Sequence, residues 1–154
     1  MDETTAKTDC AYPPSGPLSC PSARPDSDGA VIFGVVGGTA EQPRVGYLER
    51  QVRPSGDLLA LAGAADPGTV FRFGGRCAEG ACSHFADSRC SLGERLVQLL
   101  PPVADRLPPC TLRPTCRWFD EQGAAACRRC PQVISHNSAP SAGMALAAEP
   151  PPPR

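Results

Sequence analysis

The chain has 154 residues, one domain's length, with 15 basic and 16 acidic side chains and a formal net charge of −1. Near-neutrality excludes a bulk field that would draw it onto nucleic acid or an anionic membrane, and no run of roughly 18 apolar residues could form a spanning helix. With 15 glycines, 19 prolines and only 5% aromatics, the foldable core is small, so a metal clamp would matter to its stability.

Residues 1–29 are polar and rich in Pro, Ser and Asp, and read as a disordered N-terminal segment. They open on acids and lack an apolar core segment of the secretory type, which points to a cytoplasmic location. Residues 30–75 form a β-rich part. AVIFGVVGG predicts a strand ending at Gly37-Gly38, RVGYLERQV a poorly alternating one, and TVFRFGG a third that ends on another glycine pair. Between them DLLALAGAA fits a short helix or a strand.

Residues 76–135 form a cysteine-rich, partly helical module. In SLGERLVQLL, Ser91 is placed to cap, with Glu94 three residues on, and Leu92, Leu96, Leu99 and Leu100 make one stripe. Pro101-Pro102 ends that helix, with a restart open through VADRL. A second helix is expected from about Thr115 to Ala126, anchored by Trp118 and Phe119 and weakened by Gly123. Residues 136–154 close on a proline run and read as a flexible Pro/Ala-rich tail. The fold class expected is α+β: a single small irregular domain, 30–135, with a short β-sheet followed by the cysteine-rich metal-binding module, between disordered termini.

Nine cysteines is an odd number, and in a reducing compartment they read as metal ligands before they read as a disulfide frame. Seven fall in the second part, spaced Cys77-x4-Cys82-x7-Cys90-x19-Cys110-x5-Cys116-x10-Cys127-x2-Cys130, with His84 two residues after Cys82. Cys127-x-x-Cys130 lets the backbone turn about one centre. Pro131 follows, as in the Cys-Pro endings of bacterial ferredoxin motifs. The seven cysteines and His84 divide in sequence order into Cys77, Cys82, His84 and Cys90, then Cys110, Cys116, Cys127 and Cys130. A single four-cysteine site and interleaved partitions stay open. Cys10 and Cys20, in the polar head, read as bystanders.

Structural zinc sites show two short knuckles. Here one tight pair is combined with wide, irregular gaps, which favours a [4Fe–4S] cluster, one or two per chain, with zinc the alternative. Buried cysteines can also be plain core residues, and His84 can be a hydrogen-bonded histidine rather than a ligand. Arg117, Arg128 and Arg129 flank the cysteines. From Arg106 to Cys130 five arginines face two acids, suited to offsetting cluster charge or docking an acidic partner, or simply to a solvated face. No nucleotide-binding, zinc-protease or serine-hydrolase motif occurs, so no catalytic residue is named.

The stretch CTLRPTCRWFDEQGAAACRRCPQVIS, preceded by FRFGGRCAEGACSHFADSRCSLGERL, resembles an uncharacterised family of small bacterial cysteine-rich proteins. The resemblance spans about residues 46–135. It implies a metal site common to the family and names no reaction. The function expected is an iron–sulfur electron carrier or redox-responsive accessory acting on a partner protein. A zinc-stabilised interaction module and a redox-sensing regulator are the alternatives, and direct nucleic-acid binding is disfavoured.

Overall fold

The computed structural model describes residues 17–39, 41–137 and 139–151. Its strands are β1 Ser19–Ala23, β2 Val31–Gly38, β3 Pro43–Val52, β4 Phe71–Arg76, β5 Phe85–Ala86 and β6 Arg89–Cys90. Its helices are α1 Gly56–Ala60, α2 Ser91–Leu99, α3 Arg117–Gln122, α4 Ala124–Arg129 and α5 Ala142–Ala147. It is an α+β domain. The first four strands form an antiparallel sheet in the order β1-β4-β2-β3, and β5 and β6 form a separate hairpin.

The three strands expected in residues 30–75 are present. DLLALAGAA resolves as the short helix α1, because Ser55 accepts from the Leu58 amide and fixes its start. Two cores follow. Ala23, Ile32, Phe71 and Phe73 are buried together on the sheet, while Leu96, Leu100, Trp118, Phe119, Ala126, Val133, Met144 and Ala147 are buried among the helices.

Several expectations need correction. The N-terminal segment does not stay unstructured through residue 29: Ser19–Ala23 is an edge strand paired to β4, and Pro21 within it is fully buried. Residues 1–16, including Cys10, lie outside the described residues. The C-terminal tail carries a helix, capped by the Ser141 hydroxyl and seated by buried Met144 and Ala147 against Leu100. The single helix over 115–126 is two, since Gly123 sits at φ 69°, where a glycine breaks the run between Gln122 and Ala124. No helix restarts over 103–107. Finally, the residue at the start of α2 is Cys90, one before Ser91, whose hydroxyl instead donates to the His84 carbonyl at 2.5 Å.

Among the described residues, no helix is long and apolar enough to cross a membrane.

Candidate metal centre

The fold sorts eight cysteines into two sets, and none of the eight is in a disulfide. Cys110, Cys116, Cys127 and Cys130 line one small pocket of about 20 Å³, with Pro21, Tyr47 and Trp118 also on its wall. Cys110 leads into the 3₁₀ turn Arg113–Thr115, Cys116 directly precedes α3, Cys127 is inside α4, and Cys130 follows it and opens the 3₁₀ turn Cys130–Gln132. The break at Gly123 turns α4 back, so that both ends of this short sequence face the same space.

Each sulfur sits among donors. Burial pushes the Cys116 thiol up strongly, against the opposing pull of the first-turn amides of Phe119 and Trp118. Cys110 is raised by burial in the same way, with the Leu112 and Arg113 amides opposing. Cys127 is pushed up to about 11 by burial, although the Arg113 guanidinium favours its thiolate. A cysteine just ahead of a helical turn meets backbone N–H groups with no partner inside the helix, an arrangement that favours thiolate over thiol.

Cys130 has the strongest partner. Arg72, on central strand β4, has no exposed surface. Its Nη2 donates to the Cys130 sulfur at 3.1 Å, its Nε and Nη2 to the Pro21 carbonyl at 3.1 and 2.7 Å, and its Nη1 to the Cys130 and Val133 carbonyls at 2.9 and 2.7 Å. The guanidinium also lies 5.2 Å from the Phe33 ring centroid and 5.9 Å from that of Trp118. Among the described residues no carboxylate pairs with it. Burial alone would push Arg72 down, but the Cys130 thiolate and then Tyr47 outweigh burial and keep it charged. Tyr47 is raised as well, first by burial and then by Cys130.

The second set is Cys20, Cys77, Cys82 and Cys90. Cys20 pairs across from Gly75 in the β1–β4 ladder, and the Cys77 amide donates to the Leu18 carbonyl, so Cys20 and Cys77 are diagonal neighbours. Cys82 lies three residues before Phe85, which pairs with Cys90 in the β5–β6 hairpin. Burial pushes the Cys20 thiol up to about 11, and thiolates at Cys90, Cys77 and Cys82 push it further in that direction. Arg117 joins the parts. Its Nε donates to the Cys77 sulfur at 3.1 Å, and its Nη1 and Nη2 pair with Glu121 and Glu79, each at 2.9 Å. The other Glu121 oxygen accepts from the Cys90 amide at 2.9 Å.

For seven cysteines these two sets follow the sequence-order partition, one of those left open; Cys20, read as a bystander, lies diagonally from Cys77. His84 contributes its backbone N–H to the Cys82 sulfur at 3.4 Å. Its ring is held below the usual imidazole value by burial and then by Arg95, so its charged neighbour is a cation and not the cysteines. Of the three flanking arginines, Arg117 touches a sulfur. Arg129 instead donates to the Leu100 and Ala125 carbonyls. The arginines at the first set's cavity are Arg72 and Arg113, which sequence reading passed over. The signal for Arg72 was a charge between two phenylalanines in a short strand that ends on a glycine pair.

Among the described residues, no three Cys, His, Asp or Glu side chains meet closely enough to hold one metal ion. No family model, curated protein or solved structure matches the chain. Its function is therefore read from its own residues.

Proposed function

We propose that this chain is a small iron–sulfur protein in which Cys110, Cys116, Cys127 and Cys130 ligate a [4Fe–4S] cluster, and that it carries single electrons for a partner protein. The observation that carries this reading is four cysteines on the wall of one small pocket beside a fully buried arginine. A guanidinium stays protonated, and an uncompensated buried charge costs several kcal/mol. Thiolates bound to a cluster supply the missing negative charge. One tight Cys-x-x-Cys pair among wide, irregular gaps suits a polynuclear cluster better than the two short knuckles of a structural zinc site.

With Cys110, Cys116, Cys127 and Cys130 as its four ligands, such a cluster would supply one-electron chemistry between a reduced donor and an oxidised partner protein. N–H···S contacts from Arg72 and the turn amides stabilise the more negative, reduced state and set the potential. Unpaired thiols of this kind suit a reducing compartment, the cytoplasm.

The test is anaerobic purification followed by absorption spectroscopy and iron, zinc and acid-labile sulfide analysis. The expected protein is brown, holds iron and sulfide in equal amounts, and bleaches on dithionite reduction. Colourless protein with stoichiometric zinc and no sulfide would establish the zinc-stabilised module instead.

A further inference from the structure

We infer that Cys20, Cys77, Cys82 and Cys90 hold a second iron–sulfur cluster, with Cys20 rather than His84 as its fourth ligand. The inference rests on the iron–sulfur reading of the first set and extends it to residues from four separate segments. Cys20 comes from an edge strand, Cys77 from the exit of β4, Cys82 from the turn after it, and Cys90 from the start of α2. The sheet ladder sets Cys20 and Cys77 diagonally, and Cys90 pairs with Phe85, three residues after Cys82.

Arg117 and Glu121 bind these two pairs into one unit. A continuous chain of contacts runs from the Cys77 sulfur through Arg117 (3.1 Å) and Glu121 (2.9 Å) to the Cys90 amide (2.9 Å). The Arg117 side chain is 7% exposed and that of Glu121 is 9% exposed, so this is interior architecture. It parallels the first set, where buried Arg72 donates to Cys130. Every cysteine of the second set has an N–H neighbour at sulfur: Ser22 for Cys20, Arg117 for Cys77, His84 for Cys82, and Leu92, Gly93 and the Trp118 indole for Cys90. Thiolate ligands of a cluster call for such donors.

Trp118 connects the sites. Its indole faces Cys90 of one set, and its backbone amide faces Cys116 of the other. The indole can approach because Gly93 has no Cβ, which would stand 2.8 Å from the Trp118 ring.

The experiment measures iron and sulfide in full-length protein reconstituted anaerobically, for wild type and for Cys20→Ala, Cys82→Ala, His84→Ala and Cys127→Ala. Wild type should hold about eight irons per chain, a content that falls by about four in each cysteine variant and is unchanged in His84→Ala. Doubly reduced wild type should show EPR signals broadened by spin coupling, which become sharp in Cys20→Ala and Cys82→Ala. Circular dichroism separates ligand loss from unfolding, and Cys82, on a half-buried turn, provides the second variant if Cys20→Ala misfolds. About four irons in wild type, unchanged in Cys20→Ala and Cys82→Ala but lost in Cys127→Ala, would overturn the second site and leave the first standing. Iron loss in His84→Ala with retention in Cys20→Ala overturns the ligand assignment, as one zinc accompanying four irons overturns the cluster. Protein with no iron overturns both readings.

Discussion

Arg72 donates from Nη2 to the Cys130 sulfur at 3.1 Å, and no part of its side chain reaches solvent. In the proposed centre, a buried cation bonded to the Cys130 sulfur should raise the cluster's potential, because it stabilises the state with the extra electron. Arg72→Met is therefore expected to lower the midpoint potential by on the order of 100 mV, given charge interactions of a few kcal/mol in such surroundings. It should also lower stability by about 3 kcal/mol, since the Pro21 and Val133 carbonyls lose their donors. Protein-film voltammetry and urea unfolding measure the two effects. An unchanged potential would remove Arg72 from the electrostatics of the centre.

Arg117 makes two ion pairs that should differ in worth. The Glu79 carboxylate is 59% exposed and that of Glu121 only 9%. Glu79→Gln should cost under about 1 kcal/mol, whereas Glu121→Ala should cost about 3 kcal/mol because it leaves Arg117 buried with less compensation and the Cys90 amide without an acceptor. Denaturant midpoints of the two variants check the order, and equal losses would contradict it.

Gly93→Ala would put a methyl 2.8 Å from Cδ1 of Trp118. The interior around Trp118 is closed, since the side chain is 2% exposed, so overpacking should cost about 1–3 kcal/mol. Fluorescence of Trp118, the chain's one tryptophan, should report its displacement. A variant with wild-type stability and emission would argue against that close contact.

The free thiols give the cofactor-free chain a pH dependence of definite sign. Burial raises Cys20 and Cys127 from the ordinary 9.0 to about 11. The folded chain therefore keeps protons that the unfolded chain releases above pH 9. Stability is full below that value and is lost as pH rises from 9 towards 11. Cluster-loaded protein, whose ligand thiols have already given up their protons, should show no such loss in that window. Urea midpoints of both forms across this range test the contrast. A cofactor-free midpoint that rises with pH would have the wrong sign.

Much of this was legible in the sequence, and the losses have physical causes. Gly37-Gly38 and the Phe-Arg-Phe run marked real strands, and Cys110, Cys116, Cys127 and Cys130 fell into one set because the helices between them are short. Cys20 was hidden by its neighbours: Pro17 and Pro21 made its segment look unstructured, although Pro21 supplies the carbonyl that holds Arg72. A proline can sit in an edge strand, as β1 is, because no ladder hydrogen bond is required there. His84 was a conditional ligand from its spacing, and its backbone N–H meets the Cys82 sulfur at 3.4 Å. The C-terminal helix was missed because small residues dominate it, and Met144 with Ala147 is enough to seat so short an element.

The central claim is that these cysteines ligate iron–sulfur clusters, and Mössbauer spectroscopy of ⁵⁷Fe-labelled protein, prepared without oxygen, tests it most directly. The account predicts that essentially all the iron appears as [4Fe–4S] clusters and takes up electrons on dithionite reduction. Iron present only as adventitious mononuclear species, with zinc bound in stoichiometric amount, would contradict it.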